Sequence, residues 1–407
     1  MPIAHQAMPS QIRRFSVLQA LYWAFVGTFF AFIIDMFTSQ GVSSERIGIM
    51  MSVMTIGSCI GQFIISYACD RLESCKKVFI ATLILLQLFC CALFLTKNLI
   101  LINILMFLIG FTKQPLGAVL DTWFIKGVSD DMRAFGKIRS FGSAGFSILI
   151  LFYGSLLTRF GYGIMPYIST VFLGVLVFLC FKTPDMPRYA QIKRTDYNLS
   201  AIFHSLSPLL LFLFLGTTLL GAANNPSYNF TPKILKSLGG TTTHLGIALF
   251  INSGMEIPAM RIKWDNLNLS PAIRLLISSG LYIISTFLMA YSSAVWQVIA
   301  LLSLSGFAFG MSLHARRALV AQLSPGALQS TMHGVGDMLY SGLGPIAGSA
   351  ICGKLLDISG MRLMLLFCVA LQTLGTVFIL IMYIYGRNRS IGVNQKADPI
   401  HDGFPAP

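Results

Sequence analysis

Ala118–Phe146 reads AVLDTWFIKGVSDDMRAFGKIRSFGSAGF and joins two long apolar segments. The first segment carries an acid near its end, Asp121, and the second a base near its start, Arg139. A charge set in hydrocarbon costs at least ~2.5–3.5 kcal/mol on insertion scales. Two of them at one hairpin are tolerable where they neutralise each other or face a polar cavity. Antiparallel helices joined here bring the two positions to similar depth, so the spacing predicts an ion pair facing the inside of a helical bundle. Such a pair offers an acceptor and a bidentate donor, which suits hydroxyl-rich or ionic ligands. Phe146 lies two turns beyond Arg139 on the same face, placed to stack on a sugar ring or another planar group.

The rest of the chain says what surrounds this hairpin. Of 407 residues, 55% are hydrophobic and only 11% charged, with a mean hydropathy of +0.74. An ordinary soluble domain carries about 25% charged residues, so the solvent here is lipid. The net charge of +14 does not point to nucleic acid, because the basic residues lie between hydrophobic segments rather than on one soluble face. The first apolar run, Phe15–Phe37, is long enough to span and lacks a small-residue cleavage site. None of the eight cysteines has metal-type CxxC spacing, and they read as small buried apolar residues. No metal or cofactor is expected.

A spanning helix needs roughly 20 mostly apolar residues. Twelve segments qualify: 15–37, 47–69, 77–96, 99–125, 137–159 and 162–182, then 203–224, 242–262, 271–292, 294–315, 328–352 and 363–385. The hairpin of the opening stretch joins spans four and five. With both termini cytoplasmic, the inside loops and tails hold 21 of the 29 basic residues and the outside loops seven, the asymmetry that sets orientation. The longest charged connection, KTPDMPRYAQIKRTDYNLS (182–200), follows the sixth span. The expected plan is therefore an all-α membrane protein of two six-helix bundles, residues 1–182 and 202–386. A cytoplasmic loop at 183–201 joins them and a cytoplasmic tail occupies 387–407. Such a layout places a ligand site near the midplane and works by rocking of the halves.

Charges left inside spans are functional candidates. Besides the hairpin pair these are Lys113, eight residues before Asp121, and Asp35 near the outer end of span one. Glu256 lies in INSGMEIPAMRI and is followed by Pro258, His314 closes span ten beside Arg316 and Arg317, and Asp337 sits among glycines in HGVGDMLYSGLGP. Lys113 and Asn224 join the hairpin residues as candidates for substrate binding. Glu256, Asp337, Asp35 and His314 are candidates for proton coupling. His333 reads as structural.

At these residues the chain resembles the lactose permease-like branch of the major facilitator superfamily, which includes sugar, nucleoside and phenylpropionate permeases. The acid, the eighteen-residue interval and FGKIRSFGSAGF resemble that branch's hairpin pattern. The resemblance implies that Asp121 and Arg139 hold sugar hydroxyls and that Phe146 stacks on the ring. YACDRLESCKK (67–77) is similar to the superfamily's gating loop between spans two and three, with Asp70, Arg71, Lys76 and Lys77 in place. Ser66 and Glu73 stand there at usual glycine positions. The EIP at Glu256 and GLGPIAGSAICGKLLDISG resemble the branch's spans eight and eleven. Span ten departs, with Leu304 and Phe307 where lactose permease has a His and a Glu, and its span-nine arginine has no counterpart. If protons drive transport, they must bind elsewhere, at Glu256, Asp337 or Asp35.

These features point to a proton-coupled secondary transporter in the cytoplasmic membrane. It is expected to act as a monomer and to carry a small polar solute, with a sugar or oligosaccharide favoured. A nucleoside, an aromatic acid, another organic anion or drug efflux is the alternative. An enzyme is not expected: there is no HExxH, no P-loop and no GxGxxG after a strand.

Overall fold

The computed structural model describes residues 9–72, 74–128, 132–185, 206–262, 264–267, 269–324 and 329–394. Among these the chain is helical, with no strand. Ten helical stretches are long and apolar enough to cross a membrane. One of them, Met332–Arg387, is 56 residues long and reverses at Gly360, whose φ of 77° is open to glycine without strain; it supplies spans eleven and twelve. Thr242–Arg261 is span eight by position and length. Asn252, Ser253 and Glu256 dilute its hydropathy because it serves the interior rather than lipid.

The helix ends follow local chemistry. Ser43, Ser74, Ser207 and Ser270 accept from the backbone N–H three residues on, and Thr241 forms a capping box with His244, satisfying donors that a helix start leaves open. Two spans are built in two pieces. Span one runs Pro9–Phe30 and then Ile33–Ser39; span seven runs Pro208–Asn229 and then Thr231–Ser237. The Asn224–Pro226 interruption therefore does not end span seven, as the expected boundary at 224 would require. Span two begins at Ser44 and span five at Met132, each earlier than the expected start.

The turns after odd-numbered spans gather at one end of the bundle, here the odd-turn end, and those after even-numbered spans at the other. Without a hydrophobic drive between helices in lipid, association depends on close packing of small residues. The first and second sets of six spans meet along two seams. Span five crosses span eight where Gly154 and Gly246 face each other, and span two crosses span eleven at Gly48 and Gly353. A Cβ built on Gly154 would stand 3.1 Å from the Gly246 Cα, and one on Gly48 would stand 3.3 Å from the Gly353 Cα. Midway along the second seam a π turn, Leu339–Leu343, brings Gly342 against span two. A Cβ there would sit 2.6 Å from the Cys59 sulfur.

Polar contacts lock these seams at the odd-turn end. Thr158 and Thr243 share a hydrogen bond of 3.0 Å, and the Ser52 hydroxyl donates to the Ile346 carbonyl at 2.7 Å. Asp357 accepts from the backbone N–H groups of Ser44 and Glu45 at 2.9 and 2.6 Å, capping span two from the other half. Lys233 Nζ reaches the Ser44 hydroxyl at 2.5 Å.

Candidate functional site

Asp121 lies seven residues before the end of the Leu99–Val128 helix, and Arg139 seven after the start of Met132–Phe160. At 1.5 Å per residue both stand about 10 Å from the even-turn end. Among the described residues they do not form the expected ion pair. Span one supplies the intermediaries. Gln19 Nε2 donates to Asp121 Oδ1 at 2.6 Å, Trp23 Nε1 donates to Gln19 Oε1 at 3.1 Å, and the Arg139 guanidinium lies over the Trp23 ring at 4.4 Å. The link between acid and base thus passes through an amide and an indole. It leaves both charges with spare hydrogen-bonding capacity, the acid's second oxygen and the guanidinium's edge.

Gly142 makes this possible. A Cβ at that position would stand 2.5 Å from Trp23 Cδ1 and 3.0 Å from Arg139 Nη1, so the indole and guanidinium occupy the space a side chain would take. Phe146 is half-buried and packs over Gly27 of span one, where a Cβ would come within 3.2 Å of its ring. Lys113 lies deeper in span four, its Nζ 4.7 Å from the centre of the Phe30 ring. No carboxylate pairs with it among the described residues.

The second half presents its own polar groups. Glu256 of span eight forms no ion pair among the described residues, and Arg317 of span ten pairs with Asp337 rather than with Asp121. Asn224 is 7% exposed and belongs to a buried network. Gln372 Nε2 donates to its Oδ1 at 2.8 Å and to Thr286 at 3.0 Å, and Asn224 Nδ2 approaches the Tyr340 hydroxyl at 3.5 Å. Asp337 is exposed and 3.9 Å from Arg317, and His314 is exposed on span ten.

Asp35 lies elsewhere. It is 1% exposed at the odd-turn end. Lys236 pairs with it at 2.6 Å, and the Tyr162 and Thr242 hydroxyls donate to it at 2.6 and 2.7 Å. Its helix piece, Ile33–Ser39, and the piece bearing Lys236, Thr231–Ser237, are the detached ends of spans one and seven, so corresponding parts of the two halves face each other.

The 67–77 loop docks onto the first half. Lys76 Nζ donates to the Thr183 carbonyl at 2.8 Å and the Phe181 carbonyl at 3.3 Å, filling acceptors left at the end of span six. Ser74 bonds Asp185. Arg71 and Lys77 are exposed, and the Asp70 side chain lies outside the described residues.

Sequence reasoning missed Gln19 and Trp23. A lone amide in an apolar span was the available signal for Gln19, and Trp23 follows one turn later on the same face.

The chain matches the model of the MFS_1 like family over residues 12–367. It is 24% identical over 366 residues to the maltose permease of Geobacillus stearothermophilus, covering 89% of this chain and 92% of that one. It is 26% identical over 227 residues to the uncharacterized transporter YwbF of Bacillus subtilis (strain 168), about half of each chain. Among solved structures, the nucleoside transporter NupG superposes with a TM-score of 0.80 at 17% identity, covering 92% of this chain and 99% of that one. The POT family transporter PepTSo superposes at 0.73 with 10% identity, covering 94% and 99%. The relatives' names are transporters and the match spans nearly the whole length, so this chain is a multi-pass membrane transporter belonging to the MFS_1 like family, within the major facilitator superfamily.

Proposed function

We propose that the protein is a proton-coupled symporter that brings a small polar solute, favoured as a sugar or oligosaccharide, across the cytoplasmic membrane by alternating access. The observation that carries this reading is the Asp121–Gln19–Trp23–Arg139 chain. It combines a carboxylate acceptor, a planar donor and aromatic faces, the set that holds a ring of hydroxyls. Phe146 and Lys113 contribute from the first half, and Asn224 acts through Tyr340 from the second. Similarity to a maltose permease supports the sugar over the nucleoside, for which the NupG-like fold is the supporting likeness.

In this reading both termini are cytoplasmic, the odd-turn end faces outward, and residues 1–182 and 202–386 are the rocking units of a monomer, linked by 183–201. The seams at Gly48–Gly353 and Gly154–Gly246 then close the outer door, and the site drains towards the cytoplasm. Glu256 is the first choice for the proton, being inside span eight and close to the substrate-binding arginine. Asp337 and His314, exposed on the even-turn side, are second choices. Asp35, tied to Lys236, serves the door.

Uptake in proteoliposomes tests the whole reading. Maltose, longer maltodextrins, a nucleoside and an aromatic acid are offered with and without an inward proton gradient. Sugar accumulation that needs the gradient is the expected result. Uptake of the nucleoside alone would transfer the site to the alternative substrate class, and uptake indifferent to the gradient would remove the proton.

A further inference from the structure

Arg316 stands apart from the charges used above. It is 7% exposed, two and a half turns beyond Phe307 on span ten, and its guanidinium lies flat over the Tyr340 ring at 3.5 Å. Its Nε is sealed from solvent with no hydrogen-bond partner, and no carboxylate pairs with it among the described residues. Its neighbour Arg317 takes Asp337. A stacked ring satisfies the face of a guanidinium but none of its N–H groups, which lie at its edge. A buried cation with unspent donors is costly unless something anionic meets it.

The surroundings give that edge somewhere to point. Arg316 lines a cleft of about 10 Å³ with Thr217, Arg317, His333 and Asp337, room for roughly one water or one ligand oxygen. Tyr340 also approaches Asn224, a candidate binding residue, so the ring that carries Arg316 ties the cleft to the buried polar network of the second half. The charge inside the bundle is unbalanced in the same sense. With the exposed Arg317–Asp337 pair set aside, Lys113, Arg139 and Arg316 outnumber Asp121 and Glu256 among the groups considered above, and a proton on Glu256 would widen the excess.

We infer that the carried solute is a sugar acid, and that Arg316, held flat by Tyr340, receives its carboxylate edge-on while the ring lies at the Asp121–Arg139 side. The guanidinium edge can meet a carboxylate oxygen in a charge-assisted bond, and the narrow cleft admits that one oxygen more readily than a tetrahedral phosphate. This rests on the reading of the central site as a polyol site, and the test separates the two.

Matched pairs are offered to the full-length protein in proteoliposomes: glucose with glucuronate, maltose with maltobionate, and glucose 6-phosphate beside them. The acid of each pair is expected to bind at least about tenfold better than its neutral twin, the scale of one charge-assisted pair. Arg316→Gln should erase that preference while leaving the neutral sugar's affinity unchanged. Arg316→Lys keeps the charge and guards against a folding failure of the glutamine variant; it should retain the preference but weaken acid binding several-fold. Tyr340→Phe keeps the ring and should keep the preference. Equal affinity within each pair, or Arg316 variants that weaken both members alike, overturns the sugar-acid inference and leaves the polyol site standing. Stronger binding of the phosphate overturns the carboxylate assignment. Failure of every sugar, acid or neutral, defeats the polyol reading itself.

Discussion

Trp23 holds Arg139 with its face and Gln19 with its edge, so one indole fixes the direction of both a charge and an amide. Trp23→Leu keeps bulk but removes the platform. A cation–π contact is worth about 0.5–2 kcal/mol, so substrate affinity should fall roughly two- to thirtyfold. Trp23→Phe keeps a face but cannot donate to Gln19, and should fall between the two. Binding measured by counterflow decides, and an unchanged leucine variant would return Trp23 to packing alone. At this scale the sequence showed the charged members plainly, because a charge in hydrocarbon is conspicuous. Asp121 and Arg139 both turn towards span one. What the sequence did not show is that Arg139 would prefer an indole to the nearby acid, since an apolar span tolerates Trp anywhere and spacing does not reveal the span that interposes.

Helix pieces, rather than whole helices, close the odd-turn end. The breaks near Phe32 and Phe230 let short segments tilt together until Asp35 meets Lys236. No proline or polar run announces the break at Phe32, which is why 15–37 reads as one segment; Asn229, Thr231 and Pro232 flank the break at Phe230, but the expected span seven already stopped at 224, before it. Asp35 is a buried ionic latch, but Lys236 keeps 31% of its side chain exposed, so removing the acid costs less than the ~3–5 kcal/mol of a fully buried pair. That cost falls only on the state in which the latch is shut. Asp35→Asn should therefore shift the population towards a form open at this end. Spin labels on the turns after spans one and seven would report it as a longer distance population. If the distances stay as in the parent, the latch adds no bias and the glycine seams alone hold the end.

For the molecule as a whole, the quantity that the proposed symport turns on is coupling, the dependence of one half's substrate on the other half's proton. In the proposed reading Glu256 shares the central cavity with Arg139, so its protonation state changes what the arginine can offer a ligand. Glu256→Gln mimics the protonated acid and cannot cycle; it should lose accumulation against a gradient yet keep exchange of solute across the bilayer. If that variant accumulates normally and Asp337→Asn does not, the proton belongs to span eleven. The twelve-span plan was legible because membrane thickness imposes it on hydropathy. The seams were not, because a glycine that admits a neighbouring backbone reads the same as one facing lipid.

The π turn at Leu339–Leu343 leaves the protein with a chemical weak point. Gly342 sits so close to the Cys59 sulfur that even a methyl group would be crowded, and Cys59 is a free, half-buried thiol. N-ethylmaleimide attached there would act as a doorstop, forcing spans two and eleven apart just where rocking requires them to close. The reagent should poison transport irreversibly, and Cys59→Ser should confer resistance at full activity. If the serine variant is poisoned equally fast, the vulnerable thiol is another one, and a covalent inhibitor for this carrier would have to be built around that residue instead.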